Sequence, residues 1–172
     1  SLGGTVSVAS GASLGGGGTI GGNTTVADGA TLAGSGAQTL TFDKNLSLGA
    51  ASVVSVSYGT SAGSSPFLVK GDLALGGVIN VTDFGHNGPG IYRVFSYANN
   101  LTGTIGLGSL PTNITDPSTV TLQTTDDAVN LINTVGLVLN FWDGQAAGHS
   151  LNGQANGGSG TWNKQNNNWT GL

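Results

Sequence analysis

Glutamate, cysteine and methionine are missing from this chain of 172 residues, and charge of either sign is scarce. Only 7% of residues are charged, against roughly 25% in an ordinary soluble domain, so solubility rests on Ser, Thr and Asn. All eight acidic groups are aspartates, which together with Asn and Gly form turns rather than helices, and helix is excluded as a major element. The cations are Lys44, Lys70, Arg93 and Lys164, in a chain of net charge -4. They cannot assemble the roughly six to ten phosphate contacts that useful nucleic-acid affinity requires, which excludes nucleic acid as the main partner. Without cysteine there is no disulfide scaffold. No apolar run approaches the roughly 18 residues of a membrane-spanning helix, so the chain itself is not expected to span a membrane. Ser1 is followed by neither a charged n-region nor an apolar h-region, the expectation for an internal, mature segment.

What the chain does contain is glycine, 32 residues of it, and internal repetition. Val8-Ala9-Ser10-Gly11-Ala12-Ser13-Leu14 returns as Val26-Ala27-Asp28-Gly29-Ala30-Thr31-Leu32, with residue classes matched at every position. Leu46-Ser47-Leu48-Gly49 returns as Leu73-Ala74-Leu75-Gly76, and each copy leads into a Val-rich segment, Val53–Val56 and Val78–Val81. The spacings from Val8 to Val26 and from Leu46 to Leu73, similar in size but not equal, suit the coils of a solenoid. Apolar residues alternate over short spans, as at Val6/Val8, Leu40/Phe42, Leu46/Leu48, Val54/Val56/Tyr58, Ile79/Val81 and Leu137/Leu139/Phe141, which is strand periodicity. The gaps between spans are too short for crossover helices but long enough for corners of a β-coil. Glycine in strand interiors would cost about 0.5–1 kcal/mol each, more in sum than the roughly 5–15 kcal/mol stability of a domain, so most glycines belong at corners.

The expected organisation is a stack of β-helix rungs over residues 1–141, with a longer-stranded or hairpin-containing section at about 84–111. There Pro89-Gly90 introduces Ile91-Tyr92-Arg93-Val94-Phe95-Ser96-Tyr97. Pro111 to Asp127 holds two prolines and the pair Asp126-Asp127, and is expected to leave the coil before strand character resumes at Val129–Leu131. Residues 142–172, rich in Asn, Gly and Gln, are either the start of the next repeat block or an irregular terminal segment.

Gly77-Val78-Ile79-Asn80-Val81-Thr82-Asp83 followed by Gly88–Tyr97 resembles the passenger regions of bacterial autotransporters. Phe141-Trp142-Asp143-Gly144, Gly157–Asn163 and Asn168-Trp169-Thr170 resemble the opening of a passenger-associated β-strand repeat of that family. The order of these motifs, from about Leu40 onward, carries the resemblance. It implies a right-handed parallel β-helix, export across both membranes, display on the cell surface or release, and a C-terminal outer-membrane β-barrel. None of that barrel's roughly 10-residue alternating strands is present in this sequence. Passengers of the family include adhesins, aggregation factors, proteases and esterases, so the family alone does not fix an activity.

Candidate chemistry is thin. Gly11-Ala12-Ser13-Leu14-Gly15 matches the serine-hydrolase elbow, but its repeat copy carries Thr31 and Ala33 in place of the serine and the last glycine, the signature of a corner. Gly16–Gly21 matches a dinucleotide-binding glycine pattern with no helix after it. His86 and His149 sit in Gly/Asn-rich turns without partners at metal-ligand spacing, and Asp126-Asp127 reads as a solvated turn. Six Asn-x-Ser/Thr sequons, beginning at Asn23, Asn45, Asn80, Asn100, Asn113 and Asn168, are put down to a composition rich in Asn and Thr. No catalytic, cofactor-binding or metal-binding residue is assigned, and no cofactor is expected.

The resulting expectation is a non-enzymatic structural and adhesive module of the cell surface, serving as a rigid spacer. Its partners would be host cell-surface or matrix components, or other copies of the passenger. The outward positions Thr41, Ser47, Ser55, Ser57, Asn80 and Thr82 supply hydroxyls and amides for contact, and Trp142 serves either as an exposed ledge or, the favoured reading, as packing. A glycan-active enzyme on the same scaffold and a stability module beside the barrel are the alternatives.

Overall fold

The computed structural model describes residues 3–59, 64–85, 88–138, 140–144, 154, 156–161 and 169–171. Short alternating segments separated by glycine-rich corners wind into successive coils of three strands. The first coil is β1 (Val6–Val8), β2 (Ser13–Gly15) and β3 (Gly18–Ile20), and the second is β4 (Thr24–Val26), β5 (Thr31–Ser35) and β6 (Leu40–Phe42). The third is β7 (Leu46–Leu48), β8 (Val53–Ser57) and β9 (Phe67–Val69), and the fourth is β10 (Leu73–Leu75), β11 (Val78–Asp83) and β12 (Gly90–Tyr97). A fifth begins with β13 (Leu101–Gly103) and β14 (Gly106–Leu107). Each strand pairs in parallel with its equivalent in the next coil, which generates three sheets. Sheet 1 is β1-β4-β7-β10-β13, sheet 2 is β2-β5-β8-β11-β14, and sheet 3 carries β3-β6-β9-β12. This is the all-β, parallel solenoid expected from the sequence.

The pairings explain the repeats. Val8 lies beside Val26, and Leu46 beside Leu73, so each echo in the sequence is a single coil. Val6, Thr24, Leu46, Leu73 and Leu101 follow one another up sheet 1, and the widening intervals between them mean that the coils lengthen along the stack. Alternation places one column of each sheet inside: Val8, Val26 and Leu48 in sheet 1, Leu32, Val54 and Ile79 in sheet 2, and Leu40, Phe67 and Phe95 in sheet 3. Each such side chain contributes about 1.5–3 kcal/mol by leaving water. Phe67 and Phe95 stack with centroids 5.1 Å apart. Glycine is obligatory where coils approach at a corner with positive φ. A Cβ on Gly77 (φ 71°) would overlap the Ser52 carbonyl below it, and one on Gly103 (φ 73°) the Leu75 carbonyl.

Sheet 3 does not continue in parallel past β12. Beyond a 3-10 turn at Pro117–Thr119, β15 (Val120–Thr124) and β16 (Ala128–Asn133) form a hairpin, and β16 pairs antiparallel with β12. Residues 120–124, expected to lie outside the coil, are thus a strand. The excursion is confined to residues 108–119, and the acidic pair makes the hairpin turn. Tyr58, Phe84 and Tyr92 pack together where β8, β11 and β12 meet, with Tyr58 and Tyr92 centroids 5.0 Å apart. The Tyr58 hydroxyl donates to the Arg93 carbonyl at 3.2 Å and the Tyr92 hydroxyl to the Gly88 carbonyl at 2.8 Å.

The chain divides into two compact units, residues 1–135 and 136–172. In the second, β17 (Asn140–Trp142) pairs antiparallel with β18 (Trp169–Gly171). Among the described residues no helix is long and apolar enough to cross a membrane, which leaves β-barrel spans untouched.

Candidate contact surface

Inward alternation fixes what faces outward. In sheet 1 the middle residue of each three-residue strand points away from the core, and pairing aligns Ser7, Thr25, Ser47, Ala74 and Thr102 into one column. All but Ala74, which is half-buried, are exposed. Their spacing is that of adjacent strands, about 4.8 Å. None of the five strands of sheet 1 contains a charged residue.

A second column borders the first. Asn23, Asn45, Asp72 and Asn100 each immediately precede a strand of sheet 1, and the side-chain oxygens of the first three climb the corner as a ladder. Asn23 Oδ1 accepts from the Asn45 backbone N–H at 3.3 Å, Asn45 Oδ1 from the Asp72 N–H at 2.9 Å, and Asp72 Oδ1 from the Asn100 N–H at 3.2 Å. The corner turns out of sheet pairing at this point, and the side chains satisfy the backbone donors it would otherwise strand. Asp28 and Asn80 do the same elsewhere, accepting from the Ala51 and Ser109 N–H groups.

The sequons now have a cause other than composition. At Asn23, Asn45 and Asn100 the ladder residue stands two positions before the outward hydroxyl, at Thr25, Ser47 and Thr102, so the coil geometry writes Asn-x-Ser/Thr into the sequence. The first coil, with Thr5 ahead of its strand, and the coil of Asp72 and Ala74 depart from it. Recurrence of these sequons at the coil spacing is the signal that marks both columns.

The seven contact residues expected from the sequence fall on different faces. Ser47 belongs to the exposed column of sheet 1, whereas Thr41 lies half-buried in sheet 3 between Thr19 and Leu68. Ser55 and Ser57 are half-buried in sheet 2, where Ser55 lies beside Asn80. Asn80 is engaged by Ser109, and the exposed Thr82 donates to the Val56 carbonyl at 3.1 Å, so both also bind neighbouring coils. Trp142 is half-buried in the second unit and its indole N–H donates to the Gly158 carbonyl at 2.8 Å. Ser7, Thr25 and Thr102 stand outward on sheet 1 as well, and Thr25 is hidden in the sequence because its neighbour Thr24, equally polar, is the one that points inward.

The remaining candidates stay apart. Ser13 is an exposed residue of β2 beside Thr31, and the glycine pattern at 16–21 runs into strand β3. Asp126 and Asp127 are exposed, and Asp127 lies 3.6 Å from Arg93. His86 and His149 lie outside the described residues. Among the described residues no group of three or more His, Cys, Asp or Glu could hold a metal ion.

No protein-family model matches the chain, and no solved structure matches it. A curated relative does: the adhesin BmaC autotransporter of Brucella suis biovar 1 (strain 1330) is 38% identical over 111 residues. The match takes in 59% of this chain and 3% of the relative, so the chain spans a small fraction of that protein's length. Together with the parallel β-coil, this likeness bears out the resemblance to bacterial autotransporter passenger regions read from the motifs.

Proposed function

We propose that this chain is an adhesive, non-enzymatic module of a passenger displayed on the bacterial surface or released from it. A C-terminal outer-membrane barrel in the full-length protein would anchor or export it. The observation that carries the reading is the uncharged, exposed column Ser7, Thr25, Ser47 and Thr102 on sheet 1, in a chain similar to an adhesin. Two such faces, or one face and a hydroxyl-rich host surface, approach without the like-charge repulsion that keeps most soluble proteins apart. Each net hydrogen bond contributes about 0.5–1.5 kcal/mol, so contact strength comes from many coils on many displayed copies.

The test is sedimentation of the chain, with clumping and host-surface binding of cells that display it, from low salt to about 0.5 M. Association or adhesion that persists in salt and is lost in the combined Thr25→Ala, Ser47→Ala and Thr102→Ala variant, with its melting temperature unchanged, supports the reading. Monomeric behaviour without clumping or binding leaves only a spacer role. Association abolished by moderate salt points to a charged site instead, and turnover of acidic or neutral polysaccharides would replace the adhesive reading with an enzymatic one.

A further inference from the structure

The peptide bond between Asp116 and Pro117 lies on an exposed stretch between β14 and β15, and several features that promote its hydrolysis meet there. The Asp116 carbonyl oxygen accepts two hydrogen bonds, from the Thr119 backbone N–H at 3.2 Å and from the Thr119 hydroxyl at 2.6 Å. Two donors converging on one carbonyl are the arrangement that stabilises an oxyanion when that carbonyl is attacked. The nucleophile is adjacent. Asp116 Oδ1 is held by the Ser118 hydroxyl at 2.6 Å and the Ser118 N–H at 3.0 Å, while Oδ2 accepts no hydrogen bond from the described residues. The Ser118 hydroxyl, and after it the Ser118 N–H, keep this carboxyl below the usual carboxylate range. The leaving group is the proline nitrogen, which departs as a secondary amine.

We propose that the chain hydrolyses itself between Asp116 and Pro117 in mildly acidic solution. Asp116 Oδ2 attacks its own main-chain carbonyl carbon and closes a five-membered ring, and the carbonyl electron pair moves onto the oxygen facing Thr119. Collapse of that adduct breaks the bond to the Pro117 nitrogen, which takes a proton from solvent. Water then opens the cyclic anhydride, returning the Asp116 side-chain carboxylate and leaving a new main-chain carboxylate. One water is consumed and no other reactant is needed. Protonation of the leaving nitrogen makes the rate rise as pH falls, and protonation of the carboxyl turns it over. Holding the carboxyl ionised into more acidic solution moves that turnover down and raises the maximum. The pieces 1–116 and 117–172 stay together afterwards, because β16 remains paired with β12.

The bonds from Ser118 also cap the 3-10 turn, so the experiment must separate capping from chemistry. The full chain is incubated at about pH 4 and about pH 7, folded and in urea, and followed by intact mass and denaturing electrophoresis. The expected result is pieces 1–116 and 117–172, formed at least about tenfold faster from the folded chain than from the urea-unfolded chain at about pH 4. The pieces co-elute without denaturant. Thr119→Val slows scission about tenfold or more by removing one donor. Asp116→Asn, which retains the cap but not the carboxylate nucleophile, and Pro117→Ala abolish it. An intact folded chain, equal rates folded and unfolded, or undiminished scission in Asp116→Asn would overturn the proposal.

Discussion

The parallel coils and the antiparallel end of sheet 3 are made from the same few residue types but are held by different rules. In the coils each residue meets its counterpart one turn away: Val8 meets Val26, Val26 meets Leu48, and Asn45 bonds the coils on either side of it. In the antiparallel end Tyr92 meets Leu131 and Phe95 meets Val129, and the register slips between Arg93 and Phe95. Parallel stacking therefore repeats one environment along the chain, whereas the hairpin builds each environment once. Equivalent substitutions should have consequences graded by the number of neighbouring coils in the stack, and individual ones at the junction.

The largest effect tests the stacking rule directly. Val26→Asp is expected to destabilise by about 3–5 kcal/mol, because Val26 is 0% exposed and has neighbours in the coils on both sides. Val8→Asp should cost less, since Val8 is 6% exposed and is paired on one side only among the described residues. Ser10→Asp should be nearly neutral, for Ser10 is exposed and its repeat counterpart is Asp28. Urea unfolding of the three variants measures the order, and equal midpoints would mean that the columns do not behave as columns.

The same contrast explains what the sequence showed and what it hid. A coil that repeats its residues announces its own pairing, so the two echoes in the sequence name the partners of Val8 and Leu46. The step from the coil of Thr24 to the coil of Leu46 leaves no obvious echo, because Thr24 stands where Leu46 and Leu73 follow. The hairpin was concealed for a different reason. Val120-Thr121-Leu122-Gln123-Thr124 alternates properly, but it lies among Pro111, Pro117 and the Asp126-Asp127 pair, which read as a loop and are the lead-in and turn of the hairpin. Among the exposed hydroxyls of sheet 1, Ser47 was legible because it alternates between two leucines, while Thr25 was not because Thr24, equally polar, is the one that points inward.

The junction of the two regions should reveal itself in alkali. Burial pushes the Tyr58 hydroxyl well above its ordinary value, with the neighbouring Tyr92 adding to it, and burial raises Tyr92 and Tyr97 as well. A group whose acidity is weakened by folding keeps its proton in the folded chain after the unfolded chain has lost it. Stability is therefore fully present below the unfolded tyrosine value of about 10 and is lost as pH rises above it, by about 1.4 kcal/mol per pH unit from Tyr58 alone. Urea midpoints between about pH 8 and pH 11 check the slope. Tyr58→Phe should flatten it and cost about 1 kcal/mol at neutral pH through the lost bond to Arg93. An unaltered slope in that variant would place the alkaline sensitivity elsewhere.

A smaller effect is expected at the corner ladder. Asn45→Ala removes the acceptor for the Asp72 N–H at an exposed position, where water replaces much of the bond, so the expected loss is about 1 kcal/mol. Asn23→Ala, which removes the acceptor for the Asn45 N–H, should cost about the same if the ladder is repetitive in energy as it is in geometry. Thermal unfolding of both variants compares them, and a loss confined to one would break the equivalence of the coils.

The smallest expected change is a gain, and it contrasts the two regions most closely. Thr24 is 1% exposed in the inner column of sheet 1 between Val6 and Leu46, and its hydroxyl has no hydrogen-bond partner among the described residues. Asn133 at the end of the hairpin is also 1% exposed, but its amide donates to the Gly88 carbonyl at 3.1 Å and accepts from the Val135 N–H at 2.9 Å. An unpaired buried hydroxyl costs its desolvation and returns nothing, whereas a paired amide returns most of what burial takes. Thr24→Val keeps the branched shape and replaces the hydroxyl with a methyl group, so it should stabilise by about 0.5–1 kcal/mol. Asn133→Leu strands the Val135 N–H and leaves the Gly88 carbonyl to Tyr92 alone, and it should destabilise by about 1–3 kcal/mol despite adding apolar surface. Urea unfolding of the pair decides the matter: opposite signs mean that the stack tolerates a polar defect that the hairpin has turned into a joint, and a loss in both would mean that Thr24 has a partner inside the coil.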